Sequence, residues 1–403
     1  MIQMDKKLIL EEAKAIQAEM VACRRQLHEN PETGFDLENT TQLVMDKLTA
    51  MGYTPERCGK AGVVATVGNS NGKTFLLRGD MDALPITEET ALDFKSENGK
   101  MHACGHDIHT TMLLGAAQLL KKHESELNGT VKLMFQPAEE IMEGAADMIA
   151  NGVLENPKVD AGSMIHIAPG LPMDDGSIIV ANKGKSLSSC DWYEINITGK
   201  GGHGSMPMMA IDPITPAANI FLALNEIQTR ELPADALTAL TVGEFHSGTT
   251  SNVIPETASL KGTLRTYDEG MRQQIKDRMT EMADNIAKAY RCTAETKFLS
   301  GCPTLENGAD IVDLAESILP EYIGAEKVIR TEDIPGLPVQ MGSEDFAYVS
   351  HEVPTVMYAL AAADSRVSEA YPVHHPKLVL NEDIFPYGVA AHVGTAMEWL
   401  AKN

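Results

Sequence analysis

Val131-Lys132-Leu133-Met134-Phe135-Gln136-Pro137-Ala138-Glu139-Glu140 is a short apolar run that ends on two adjacent carboxylates. Its apolar residues run on rather than alternate strictly, the pattern of a strand covered on both faces. Similar runs occupy 62–67, 74–77, 163–167 and 354–360. Helical patterns at 110–122 and 145–151 separate several of them. Strand–helix alternation of this kind predicts an α/β layer fold around a mostly parallel sheet. Two helices are expected ahead of it, over 8–28 (stopped near Asn30-Pro31) and over 38–51 (ended by Gly52).

Polar residues close these runs in a consistent way. Asp80 and Asp82 follow 74–77, Glu139 and Glu140 follow 131–135, and His166 ends the run from Ser163. Open α/β sheets bind ligands beyond the carboxyl ends of their strands. Three distant segments are therefore expected to deliver polar groups to one rim.

Residues 184–300 change character. Around 191–198, Tyr193, Ile195 and Ile197 alternate with Trp192, Glu194 and Asn196, as in a half-buried strand. A helix at 213–230, strands at 238–245 and 258–267, a helix at 270–290 and a strand at 293–299 follow. The order β-α-β-β-α-β predicts a ferredoxin-like α+β unit. The expected organisation is a first domain over 1–184, an insert over 185–300 and a return to the first domain over 301–403.

Composition sets outer bounds. A chain of 403 residues suits two domains, and 43% hydrophobic residues suit globular ones. A formal net charge of -24 repels phosphate backbones and anionic lipid, which argues against nucleic-acid and membrane-surface partners. The opening residues Met1 to Lys7 carry no apolar signal core, and no run approaches the ~20 apolar residues of a membrane span. Six cysteines are scattered without a framework spacing, as in reduced cytosolic proteins. A cytoplasmic location is expected.

The chemistry concentrates in Met101-His102-Ala103-Cys104-Gly105-His106-Asp107-Ile108-His109. Thiolate, imidazole and carboxylate are the side chains that hold zinc-like divalent ions. Alone, Cys104 or His106 reads as a core residue. With Asp107, Glu139, Glu140, His166 and His374 in the same chain, a metal site is the better reading, with Cys104 and His106 expected to point the same way from extended backbone. Of the two glutamates, one would bind metal and the other take a proton from water. Asp80 and Asp82 read either as turn chemistry or as carboxylates steadying a ligand histidine. The Gly199-Lys200-Gly201-Gly202-His203-Gly204 run matches the dinucleotide fingerprint, but Pro207 and Pro213 follow where a helix should open. A loop carrying His203 towards a ligand fits better. Asn252 and Arg265 read by themselves as ordinary polar residues. His102 and His109 make no separate claim, and His375 is the neighbour most easily mistaken for His374.

Together these segments resemble the metallo-aminoacylase and carboxypeptidase family, in the amidohydrolase branch that includes hippurate hydrolases, N-acyl-amino-acid deacetylases and auxin-conjugate hydrolases. The resemblance rests on 79–85, 101–109 and 136–140, on His166 before Pro169, and on 199–207, 252–255, 342–346 and 374–376, in family order across nearly the whole chain. It implies a metallopeptidase-like catalytic domain with two divalent metal ions (zinc, manganese, cobalt or nickel). Cys104 would bridge them, and His106, Glu140, His166 and His374 would complete the ligands. Glu139 would be the general base, and Asp82 would support the site. The insert would be a lid and dimerisation domain in a homodimer. His203 would reach the oxyanion, and Asn252 and Arg265 would hold substrate. Met208 stands where many branch members carry histidine, and Ile108 replaces a usually small residue. The implied activity is hydrolysis of N-acyl amino acids. A metallo-dipeptidase or carboxypeptidase using the same site, a Cys104 thiol hydrolase and a non-catalytic binding member remain as alternatives.

Overall fold

A computed structural model describes residues 6–403 except 70, 172, 335–338, 340 and 364–370. The chain divides into two compact units. The first comprises residues up to Ser186, Glu306–Pro338 and Tyr348–Asn403, and the second comprises Leu187–Leu305 and Val339–Ala347.

The apolar runs of the first unit become neighbouring strands. Its eight-stranded sheet has the order Glu56–Cys58, Gly62–Gly68, Gly129–Gln136, Lys73–Asp80, Ala161–Ala168, Thr355–Ala361, Ile178–Val180 and Val328–Arg330. The four strands from Gly129–Gln136 to Thr355–Ala361 run parallel, so their carboxyl ends share one rim. Antiparallel pairing appears only towards the margins. The Gly129–Gln136 strand is buried at every position, which explains its continuous apolar reading. Lys132 is the exception within it, and its ammonium donates to the carbonyls of Val153, Glu155 and Pro157 at 2.7–3.0 Å.

The helix expected at 110–122 begins four residues earlier and spans His106–Lys122. Fourteen of its 17 residues are buried, so it is a core helix rather than an amphipathic surface one. The helix expected over 8–28 is interrupted at Ile16, giving Lys6–Ala15 and Gln17–His28.

The second unit carries an antiparallel sheet ordered Thr238–Ser247, Thr257–Thr266, Ser189–Thr198 and Thr293–Cys302. With the helices Ile214–Glu226 and Glu269–Ala289, the chain order is β-α-β-β-α-β, the ferredoxin-like arrangement. Tyr193, Ile195 and Ile197 face its core, as their alternation predicts. The 339–347 segment, expected with the first domain because it follows residue 300, groups with this unit instead. Within the unit, Arg265 donates to the Met341 carbonyl at 2.7 Å and to Ser343 Oγ at 2.9 Å. Among the described residues, no helix is long and apolar enough to cross a membrane.

Candidate metal centre

The rim is built from turns that follow buried strands. Cys104 and His106 do not lie in extended backbone as expected. Cys104 sits in a tight turn and His106 opens the helix, separated by Gly105 at φ +84°. A side chain at position 105 is doubly excluded. Its φ is left-handed, and a Cβ there would lie 2.6 Å from Ile167 Cγ1. The turn, not strand alternation, aims the thiol and the imidazole into one space. After the Gly129–Gln136 strand, Ala138 at φ +55° turns Glu139 and Glu140 over the strand end. Gly144 lets this turn close, because a Cβ there would lie 1.6 Å from the Pro137 carbonyl oxygen. His374 joins from far along the chain. Its backbone N–H donates to the Ala103 carbonyl at 2.7 Å, which ties its loop to the Cys104 turn.

Three overlapping donor groups result. Cys104, His106 and His166 form one, Cys104, Glu140 and His374 a second, and His106, Glu139 and Glu140 a third. Each has its candidate ligand atoms within 4.8 Å of one another. Cys104, His106 and Glu140 each belong to two of these groups, which suits a cluster large enough for more than one cation. His166 Nδ1 donates to the Ile167 carbonyl at 2.7 Å, leaving Nε2 facing Cys104 Sγ at 3.5 Å. His374 Nε2 lies 3.5 Å from Glu140 Oε1. Its neighbour His375 is turned to another task, accepting the Lys377 N–H and stacking on Tyr371 at 4.2 Å.

Asp82 is more than a turn residue. Its two oxygens accept the backbone N–H groups of Glu139 and Glu140 at 3.0 and 3.2 Å, and Oδ1 lies 3.4 Å from His106 Nδ1. It therefore fixes the glutamate turn and faces a candidate ligand at once.

The electrostatics suit a cation. Burial alone would raise the Cys104 pKa, but His166 and His106 beside it prevail and hold the thiol at about 6, so it is a thiolate at neutral pH. Cys104 and Glu140 push His374 up to about 10. Burial works against charge on His106, yet Asp80, Asp82 and Cys104 raise its pKa. Both His106 ring nitrogens and Glu140 Oε1 are buried without a hydrogen-bond partner. Orphaned donor atoms of this kind, converging with a thiolate, fit a bound divalent ion that would satisfy them.

Behind these groups lies a second layer. Asp80 is there as a supporting carboxylate, and Asp107 is held there by Arg24 and His28 rather than facing the donor cluster. The sequence reading assigned no role to Arg24, His28, Arg78 or His109. His109 Nδ1 donates to Asp80 Oδ1 at 2.6 Å, and Arg78 Nη1 donates to Asp80 Oδ2 at 2.6 Å. Behind the helix start, Asp107 Oδ2 pairs with Arg24 Nε at 2.7 Å and His28 Nδ1 at 2.8 Å, and His28 Nε2 meets Glu88 at 3.2 Å. The available signal was spacing: His109 lies three residues beyond His106, hence on the same helical face.

The second unit holds the remaining candidates. His203 and Asn252 are neighbours there, because Gly202–His203 pairs with Val253–Ile254 and the Gly204 N–H donates to the Asn252 carbonyl. No long helix opens directly after the glycine run, as expected; only a 3-10 turn spans Pro207–Met209. The Ser205 N–H donates to His203 Nδ1 at 3.1 Å, which leaves Nε2 of the neutral ring as the proton-bearing nitrogen. His203 and Asn252 are exposed, whereas Arg265 is engaged with the Met341 carbonyl and Ser343 Oγ.

A parallel sheet that gathers thiolate, imidazole and carboxylate groups at one rim defines a candidate metallohydrolase centre. The chain belongs to the peptidase family M20/M25/M40, whose model matches residues 76–398, and it is accordingly a hydrolase. It is 35% identical over 95% of its length to IAA-amino acid hydrolase ILR1-like 4 of Arabidopsis thaliana, covering 86% of that protein. N-acetylcysteine deacetylase of Bacillus subtilis is 34% identical over 92% of this chain and 94% of its own. A Bacillus subtilis crystal structure, described as a dinuclear metal-binding peptidase of the M20 family, superposes with a TM-score of 0.77. It shares 32% identity and covers 97% of this chain and 100% of its own.

Proposed function

We propose that the protein hydrolyses the amide bond of N-acyl amino acids at a centre of two divalent metal ions. The observation that carries this reading is the convergence of Cys104, His106, Glu140, His166 and His374, with the buried ring nitrogens of His106 and Glu140 Oε1 left without a hydrogen-bond partner and the Glu139 carboxylate beside them. Relatives named as hydrolases of an amino-acid conjugate and of an N-acetyl amino acid support the substrate class, and the dinuclear relative supports the metal count.

In this reading Cys104, His106, Glu140, His166 and His374 would hold the ions. When bound, such ions polarise the scissile carbonyl and acidify water. The chain does the rest. Glu139 takes the proton of the attacking water and returns it to the leaving amine. Asp82 holds the Glu139–Glu140 turn and faces His106, so base and ligand keep a fixed relation. His203 donates its Nε2–H to the developing oxyanion, from this chain or from a second copy, and Asn252 and Arg265 bind the substrate's polar groups. The set Cys, His and Glu suits zinc first, with manganese, cobalt and nickel as competitors.

The same reading makes the protein a cytoplasmic homodimer. All six cysteines are free, as in a reducing compartment. In the second unit the edge strand Thr238–Ser247 and the helix Ile214–Glu226 expose Phe245, Phe221 and Leu222 together, an apolar face of the kind that pairs with another chain.

The test is release of free amino acid from N-acetyl, N-benzoyl and indole-acetyl amino acids and from dipeptides, before and after chelation, with single metals added back. Acyl-amino-acid cleavage lost on chelation and restored by one metal is expected. Preferential dipeptide cleavage would replace the substrate class, and chelator-resistant activity abolished by alkylation would replace the metal mechanism with a Cys104 nucleophile.

A further inference from the structure

We infer that His109 is a positioning residue that locks the two histidine arms of the metal centre, His106 and His166, to one another. The inference rests on the metal-centre reading above and adds a residue that does not itself bind metal.

The argument starts from a gap in the sheet. The ladder between the parallel strands Lys73–Asp80 and Ala161–Ala168 pairs Phe75 with Ala161 and continues to Arg78 with Met164, where it stops. The strand carrying His166 runs on beyond that point. Ile167 is buried, and its N–H donates to His109 Nε2 at 2.9 Å. A buried backbone N–H must find a partner. The imidazole of His109 supplies it where the neighbouring strand has ended.

The other nitrogen closes the link. His109 Nδ1 donates to Asp80 Oδ1 at 2.6 Å, at the end of the strand that fell short. One ring therefore bridges the two strand ends and uses both its nitrogens, one as donor and one as acceptor, as a neutral imidazole requires. That leaves no lone pair for a cation, although Asp80, His106 and His109 lie close enough to hold one.

Both candidate ligands depend on this bridge. His166 immediately precedes Ile167, and its Nδ1 is held by the Ile167 carbonyl. His106 lies one helical turn before His109, its ring stacked on that of His109 at 5.4 Å between centroids, and its Nε2 lies 3.6 Å from Asp80 Oδ2. The His109 ring also meets that of His166 edge-on at 4.7 Å. Asp80 is anchored in turn by Arg78, and Arg78 Nε donates to Gln136 Oε1 at 2.9 Å, on the strand that leads to Glu139 and Glu140. A single buried chain of hydrogen bonds thus runs from the glutamate strand through His109 to the His166 strand.

The test is zinc titration of metal-free wild-type, His109→Phe, His109→Asn and His109→Gln proteins by calorimetry, with metal-free melting temperatures and kcat and KM for the best acyl substrate. Asparagine places an N–H near Asp80 and loses the Ile167 acceptor, whereas glutamine places an oxygen near the Ile167 N–H and loses the Asp80 bond. His109→Phe is expected to weaken zinc binding by about 10–100-fold, the usual cost of removing an outer hydrogen-bond partner of a metal site. Each carboxamide variant is expected to recover part of the loss, and kcat is expected to fall with little change in KM. Should the phenylalanine variant fail to fold, the two carboxamide variants carry the comparison. Lower metal-free melting temperatures with zinc affinity unchanged in all the variants that fold would overturn the inference. A wild-type protein that takes up no zinc, manganese, cobalt or nickel would instead remove the metal-centre reading itself, and the inference with it.

Discussion

The rim of the first unit and the glycine-rich loop of the second present functional side chains in opposite ways. At the rim, Asp82, Cys104, His106 and Glu139 are buried, aimed by turns whose backbone admits few alternatives, and backed by the Asp80–His109 and Arg24–Asp107–His28 networks. On the loop, His203 is exposed and steadied by Ser205, two residues away. The contrast separates buried polar groups fixed by their own unit's backbone from an exposed histidine held only by its own loop. Burial makes the rim costly to disturb, while exposure makes the loop cheap to alter structurally yet still able to matter in the reaction.

The strongest test of that contrast is Glu139→Gln, which keeps shape and removes the proposed base. We expect metal content to match wild type while kcat falls by about a hundredfold to ten-thousandfold. Near-normal turnover would move the base elsewhere on the rim.

Arg24→Met probes the network behind the rim. It strips the buried Asp107 of its guanidinium partner, and uncompensated buried charge of this kind costs about 3–5 kcal/mol, read by denaturant unfolding of the metal-free protein. The pH dependence has a definite sign. Burial acts to raise the Asp107 pKa, but Arg24 and His28 overcome it and hold the carboxyl well below its usual range. Its stabilisation is therefore complete above the unfolded carboxyl pKa, about 3.9, begins to fade below that value and is lost only as pH falls through the much lower folded pKa. The stabilities of variant and wild type are expected to converge on acidification. A gap that stays constant down to low pH would show that lost packing, not the ion pair, is responsible.

His203→Ala is expected to lower turnover by roughly a hundredfold, ~3 kcal/mol for one oxyanion donor, without changing metal content or melting temperature. A loss of stability would make the loop part of the structural core and end the contrast. At the small end, Met208 is 76% exposed, so Met208→Ala should shift stability by no more than about 0.5 kcal/mol in thermal unfolding.

Legibility followed physical locality. The parallel strands were readable because a strand covered on both faces must be apolar along its length, as at Val131–Phe135. Asp82, Glu139 and Glu140 were readable because polar residues directly after such strands have one rim to occupy. Cys104 and His106 come together as expected but on a different backbone, a left-handed turn at Gly105 where a side chain would meet Ile167, more than 60 residues away. His109 was passed over for the same reason. Its role comes from where the ladder beneath Ile167 stops, and register between distant strands is not written in any one segment.

By itself the sequence determined the layer architecture, the ferredoxin-like second unit and the pool of chemically competent side chains, because hydrophobic period and residue type are local properties. The tertiary structure decided which of the histidines keep buried nitrogens open and which are consumed in holding strands together. That depends on hydrogen-bond partners supplied from elsewhere in the fold: Asp80 and the Ile167 N–H occupy His109, and the Lys377 N–H occupies His375, while both ring nitrogens of His106 are left open.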